Sequence, residues 1–545
     1  MIDEDAFPQL DAADVDLIAT LGERRQVAQG EYLYREGDLT YDFYVVVSAE
    51  IDVVVAVDGG ERTIAHHGPG RFLGELNMLT GLRVFVSTRV SRPGEVIVVP
   101  RDRLHQLMAT NPRLGDTILA AFIARRSVLL EEAAPTIRVI GSKFSPESLR
   151  LREFLARTRT PHEWIDSDAN PGADALLHQF SVAPSELPVV IATGSVLRNP
   201  TPGQLASYLG LTLENLPERC FDLVVVGGGP AGLAAAVYGA SEGLRTLGVE
   251  MTAPGGQAGT SSRIENYLGF PMGIAGTDLT GRAVIQAEKF GARLTVPCTA
   301  TTLRNRGGYL VVELSDGSEV AGRAVVAATG ASYRRLDADC LSGFEGNGVY
   351  YAATDMEARQ CSGAPVLVAG GGNAAGQAAI FLAQNSCQVM IVIRGNDLGK
   401  SMSRYLLERI EADPGISVRT DTTISTLEGD ETLRSVALKG PDDERILECA
   451  GLFSFIGAEP CSGWLSGCAA LDDQGFVVTD LSLSVDQIEE WAALGRSPLP
   501  FETSHPGLFA VGDLRAGSIK RVASAVGEGS AAVRSVHEYL AFSHE

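Results

Sequence analysis

The pattern of apolar and polar positions changes character several times along the chain. Residues 1 to about 20 carry a short helical pattern. From Gln29 to Pro100 the apolar positions alternate with polar ones in short runs broken by glycine turns, as in GEYLYREGD, YDFYVVVSAEIDVVVAVDGG and GEVIVVP. Period-two alternation with turns this close predicts a small antiparallel roll. Helical spacing then takes over, from Asp102 to the stretch Leu119–Arg126. The stretch LEEAAPT, 130–136, reads as a linker. Beyond it IRVIG, HEWID and PVVIAT read as strands, with helices at Pro146–Ala156, DALLHQF and TPGQLASYLGL.

The stretch Cys220–Glu250 is the one around which the rest is organised. Leu223–Val226 leads straight into Gly227, Gly229 and Gly232, spaced G-x-G-x-x-G, and then into an alanine-rich helix. The first glycine permits the turn, the second admits a pyrophosphate, and the third lets helix and strand approach. Glu250 ends the next strand, where an acid accepts hydrogen bonds from a ribose. Strand, glycines, helix and acid together predict a dinucleotide site. A second fingerprint follows at Gly370, Gly372, Asn373 and Ala375, with alanine for the third glycine. Its next strand, CQVMIVIRG, ends in Arg394 and not in an acid. A cation there suits the 2′-phosphate of NADPH, with Lys400 and Arg404 nearby.

At 545 residues the chain is too long for one core, and three or four domains are expected. The net charge of −23 argues against a nucleic-acid backbone as partner. No apolar run reaches the length of a membrane span, and MIDEDAFPQL is not a signal peptide. The eight cysteines contain no C-x-x-C pair, which together with two nucleotide folds reads as a cytoplasmic protein with reduced thiols.

Arg71–Val90, RFLGELNMLTGLRVFVSTRV, resembles the phosphate cassette of cyclic-nucleotide-binding domains. The resemblance implies that Gly74 and Glu75 face the ribose. The arginine that neutralises the cyclic phosphate would fall near Val84, and Arg83 is the closest candidate, with Arg89 further along. Binding of a cyclic nucleotide and a ligand-free docking role both stay open on these residues. The second segment resembles a thioredoxin or glutaredoxin fold, with Leu187-Pro188-Val189 at its cis-proline position. Its C-P-x-C position reads Ser145-Pro146-Glu147-Ser148, and serine supplies no thiolate, so thiol exchange there is excluded.

From Cys220 onward the chain resembles the low-molecular-weight thioredoxin reductases. The resemblance implies that the loops with Gln257 and Asn266 lie along the flavin, and that Thr329 and Gly330 form the A-T-G segment. It also implies that Asp513 bonds the ribityl chain and that Arg521, Val522 and Ala523 present amides to the pyrimidine edge. Where that family carries C-A-T-C, this chain has Ala352 and Asp355 at the cysteine positions. A wider pair, Cys461 and Cys468, is the alternative route for electrons.

The expected architecture is therefore multidomain. It combines an antiparallel β-roll of the jelly-roll kind (1–130), a small α/β thioredoxin-like domain without cysteines (137–212), and two Rossmann-like α/β domains. The FAD domain would take 220–345 and 457–545, with the NADPH domain at 346–456 inserted. The expected function is an NADPH-dependent FAD oxidoreductase, a homodimer with an unidentified electron acceptor. The alternative is a flavin- or nucleotide-binding sensor without disulfide reductase turnover.

Overall fold

A computed structural model describes the chain except residues 1–3, 58–59, 132–136, 144, 171, 193–194, 214–219, 261–263, 265–266, 346–347, 352, 354–356, 359–360, 362, 386, 431, 442, 489–490, 492–493 and 543–545. It forms two compact units, 1–330 with 461–545, and 331–460. The inserted unit thus begins earlier and ends later than the 346–456 read from sequence.

The first unit opens with two four-stranded antiparallel sheets. One has the order Glu23–Val27, Gly94–Val99, Phe43–Val46, Phe72–Leu73, and the other Tyr32–Tyr34, Ser87–Arg92, Glu50–Val57, Gly60–His67. The helix Pro112–Glu131 closes the roll. Its Leu114, Ile118, Ala121 and Phe122 recur at helical spacing and are buried against Phe43 and Phe72. Ile285 of the helix Gly276–Lys289 belongs to the same core, so the roll is seated on that helix. Lys289 pairs with Asp116 at 3.2 Å beside it.

The second segment builds a four-stranded mixed sheet in the order Glu163–Asp166, Arg138–Gly141, Val189–Ala192, Ser195–Arg198. Ser145 caps the helix Pro146–Arg157 by accepting from the Ser148 amide at 3.2 Å, with Pro146 at the first turn. The Leu187–Pro188 bond is cis. Its core includes Phe154, Val190 and Leu205, together with Leu82 and Phe85 of the roll and Ala253 and Val296 from further along. That shared core is why these parts form one unit.

The body of the first unit is a seven-stranded sheet. Cys220–Val226 lies between Thr246–Val249 and Glu319–Ala327, parallel to both. Leu508–Ala510 adds in parallel to Glu319–Ala327, and the long helix Val522–Phe542 packs behind. The second unit has its own five-stranded parallel sheet in the order Val349–Tyr350, Gly451–Ser454, Pro365–Ala369, Gln388–Val392, Ile416–Arg419. A three-stranded antiparallel meander, Thr423–Glu448, follows its last strand. Ala331–Tyr333 and Ala458–Pro460 pair as an antiparallel ribbon, which sets the limits of this unit.

Candidate functional site

The first fingerprint lies in the turn between Cys220–Val226 and the helix Pro230–Ser241. Gly227 has φ +112°, and a Cβ there would strike the Ala328 carbonyl. A Cβ on Gly232 would strike the Gly227 carbonyl. Gly229 differs: the nearest heavy atom to its missing Cβ is Gly256 Cα at 3.9 Å. Two glycines therefore serve packing, while the middle one faces space at a helix N-terminus, where unpaired amides favour an anion.

Glu250 is fixed beside this turn. Its Oε2 accepts from the Gly228 amide at 2.6 Å and its Oε1 from the Thr252 amide at 3.0 Å. Each carboxylate oxygen keeps a second lone pair for a diol. The Gly255 amide bonds the Gly228 carbonyl at 2.7 Å, drawing the GGQAG loop against the fingerprint. Gln257 of that loop is exposed. Arg157, on the helix of the second segment, donates to the carbonyls of Ala253 at 2.5 Å and Pro254 at 3.3 Å and so braces the same loop.

Asp513 reaches this region because Gly512 abuts Ala231 of the fingerprint helix. Gly512 is held by Glu528, which accepts from its amide at 2.7 Å and pairs with Arg515 at 2.6 Å. Burial lifts the Asp513 carboxyl above its usual range, with Lys520 opposing. Arg521 and Ala523 are exposed at the start of the last helix, and Val522 packs against the cluster of Ala258, Ile264 and Ile274. Thr329 donates to the Cys461 carbonyl at 2.7 Å, and nothing lies within 4 Å of a Cβ on Gly330. Asn266 lies outside the described residues, as do Ala352 and Asp355.

The second unit repeats the arrangement. Gly370 has φ +133° and abuts the Phe455 carbonyl, while nothing lies within 4 Å of a Cβ on Gly372. Asn373 opens the following helix, and its Oδ1 accepts from the Ser403 amide at 2.7 Å. Arg394 is exposed just past the strand Gln388–Val392. Lys400 bonds Asn396 and Arg404 pairs with Glu408, at 2.8 and 2.9 Å.

None of the eight cysteines is in a disulfide. Cys468 donates to the Leu303 carbonyl at 2.9 Å, and Cys461 is exposed. Burial pushes the Cys361 thiol up to about 11 and Cys449 up to about 12, so neither is a ready thiolate.

In the roll, Gly74 and Glu75 line an open-mouthed cavity. Arg83 does not line it, contrary to the sequence expectation. Its Nε donates to the Tyr208 carbonyl and its Nη1 to the Gly37 carbonyl at 2.7 Å, while its guanidinium lies over the Tyr208 ring. Val84 points inward instead and is buried in the roll core. Two arginines that sequence reasoning passed over stand closer. Arg125 donates to the carbonyls of Ala6, Gly74 and Phe72, at 2.8, 2.6 and 3.1 Å. Arg126 donates to Asn77 Oδ1 and lies 3.7 Å from Glu75 Oε2. Their signal was two adjacent cations in the otherwise apolar LAAFIARRSVLL.

Residues 221–529 match the pyridine nucleotide-disulphide oxidoreductase family, and 24–111 match the cyclic nucleotide-binding domain. The thioredoxin reductase of Treponema pallidum is 33% identical over 330 residues, 59% of this chain and 98% of that protein. That of Mycolicibacterium smegmatis is 32% identical over 331 residues, again 59% and 98%. Among solved structures, thioredoxin reductase from Streptococcus pyogenes shares 28% identity at a TM-score of 0.51, covering 59% of this chain and 98% of that one. The enzyme from Giardia duodenalis shares 25% at 0.51, covering 59% and 100%. Among the described residues no helix is long and apolar enough to cross a membrane. With two nucleotide cradles and this match over more than half its length, the chain belongs to the pyridine nucleotide-disulphide oxidoreductase family, NAD(P)H-dependent flavin oxidoreductases whose thioredoxin reductase members use FAD and NADPH.

Proposed function

We propose that this protein oxidises NADPH at an FAD site and delivers the electrons without a disulfide relay, to an acceptor other than thioredoxin. The observation that carries the reading is the absence of any C-x-x-C from a sequence that keeps both nucleotide fingerprints. FAD, when bound, supplies the two-electron acceptor for the nicotinamide. Gly229 gives the pyrophosphate room, Glu250 holds the adenosine ribose, and Asp513 takes the ribityl chain. Gln257 and the amides at Arg521, Val522 and Ala523 serve the ring. Gly370, Gly372 and Asn373 cradle the second dinucleotide, and Arg394 takes its 2′-phosphate.

The protein would work as a cytoplasmic homodimer, with the Ser145–Ser148 segment of its thioredoxin-like domain kept for docking and not for exchange. Anaerobic mixing of FAD-loaded protein with NADPH should bleach the flavin absorbance. The same protein should leave insulin disulfides intact in a thioredoxin-coupled assay. Turnover in that assay, lost on Cys461→Ser, would overturn the reading. A charged hydrogen bond is worth about 1.5–3 kcal/mol, so Arg394→Ala should erode the preference for NADPH over NADH by about tenfold or more. Equal rates with both nucleotides before mutation would remove Arg394 from this role.

A further inference from the structure

The roll is joined to the first nucleotide cradle through three successive residues of the second segment. The helix Pro146–Arg157 ends in the turn Arg157-Thr158-Arg159. On one side of that turn, the Arg159 carbonyl accepts from Arg126 Nη1 of the roll at 3.1 Å. On the other, Arg157 Nη2 donates to the Ala253 and Pro254 carbonyls at 2.5 and 3.3 Å. The next amide along, Gly255, bonds the Gly228 carbonyl inside the fingerprint at 2.7 Å.

Arg126 is also bound to the cassette. It donates to Asn77 Oδ1, and Glu75 Oε2 lies 3.7 Å away. Asn77 in turn donates to Glu75 Oε1 at 2.6 Å, so the three side chains form one buried network. Burial raises the Glu75 carboxyl and lowers the Arg126 guanidinium, and each charge is the largest force opposing the shift of the other. Removing one of them strands its partner. Behind these polar contacts lies a single apolar core. It holds Leu82 and Phe85 of the cassette, Phe154 and Leu155 of the helix, and Ala253 at the entry to the GGQAG loop. Side chains packed this closely pass a displacement on and absorb little of it. Arg159 itself has φ +51°, a left-handed conformation that residues other than glycine seldom adopt, so the turn keeps its form through its contacts on both sides.

We infer that Arg126 positions the GGQAG loop by way of the turn 157–159, so that the state of Glu75 in the roll sets how firmly FAD is held. This rests on the FAD site proposed above. Glu75 lines the roll's cavity, so a group that binds there and engages its carboxyl acts on the same network. Coupling of this kind is a free energy shared by the two sites and runs equally in both directions.

The experiment is a double-mutant cycle on full-length, FAD-loaded protein, with Glu75→Gln, Arg157→Ala and the two together. The readout is the flavin retained after timed dilution and gel filtration. Glu75→Gln keeps the shape and removes the charge that faces Arg126, and it should speed FAD release at least threefold. Arg157→Ala should do likewise. The double variant should release FAD no faster than Arg157→Ala alone, because the link is already cut. Destabilisation of the roll by itself would lower the thermal midpoint without that dependence on Arg157. Arg126→Lys replaces Glu75→Gln if that variant does not fold. Release at the wild-type rate from Glu75→Gln, or a double variant whose acceleration is the product of the two single ones, would overturn the inference. Purified protein that holds no FAD even after its addition would remove the FAD site, and this inference with it.

Discussion

Gly232→Ala tests the close approach on which the first nucleotide cradle depends. A methyl at this position would sit on the Gly227 carbonyl oxygen, inside the 3.0 Å approach that real Cβ atoms respect by about 1 Å, and 3.3 Å from Ala328 Cβ. The Gly227 carbonyl cannot yield alone, because Gly227 is wedged against Ala328, just past the end of the neighbouring strand. The start of the helix Pro230–Ser241 must therefore lift. Overpacking of this kind costs about 1–3 kcal/mol, and here it falls on the amides that would face the pyrophosphate. At about 1.4 kcal/mol per tenfold, FAD affinity should drop by about one to two orders of magnitude, with a lower thermal midpoint. The assay is FAD content after gel filtration, followed by re-titration with FAD and thermal denaturation. Ala375→Gly is the control, since the second fingerprint already accepts a methyl at this position, buried within its own core. Full flavin content and an unshifted midpoint in Gly232→Ala would refute the argument.

Three further outcomes are expected. Glu502 is fully buried and accepts two bonds from Arg496, at 2.8 and 2.9 Å, besides the amides of Leu499 and Gly507. Arg496→Met should cost about 3–5 kcal/mol in chemical denaturation by stranding that carboxylate; a loss below 1 kcal/mol would show the site relaxes. Burial, opposed by Arg293, Arg101 and Arg126, pushes the Glu288 carboxyl to about 8. The folded state then binds this proton more tightly than the unfolded one, so Glu288 withdraws stability as pH rises from the ordinary carboxyl range toward 8. Glu288→Gln should flatten the fall in stability across that window, and an unchanged pH profile would count against it. Arg157→Ala should loosen the GGQAG loop and raise the FAD dissociation constant severalfold, read by flavin release on dilution.

Much of the nucleotide-binding body was legible because steric rules act over a few residues. A glycine at Gly227 or Gly370 is demanded by positive φ and by a carbonyl just past the end of the adjacent strand, so spacing alone carries the geometry. Glu250 was legible for the same reason, one strand beyond its turn. The roll's chemistry was not. Arg83 and Val84 differ by one position, and in extended backbone one position exchanges the inward face for the outward. The contacts that decide the matter are also remote in sequence: Arg125 and Arg126 bond residues some fifty positions earlier. Adjacent arginines on a helix read as a solvated pair, and only the tertiary structure buries both. The limits of the inserted unit escaped for a similar reason, since pairing between Ala331–Tyr333 and Ala458–Pro460 spans the whole insertion.

That pairing has an evolutionary and practical consequence. Ala331 lies opposite Pro460 in the ribbon, so the inserted polypeptide starts and stops at one place. The surrounding chain does the same, because the Cys461 amide bonds the Gly330 carbonyl at 2.9 Å. Each piece is then a loop whose ends already touch, the condition under which one gene segment can be dropped into another without breaking either fold. A short glycine turn joining Gly330 to Cys461 should close the host, and residues 331–460 should be transplantable as a self-contained cassette.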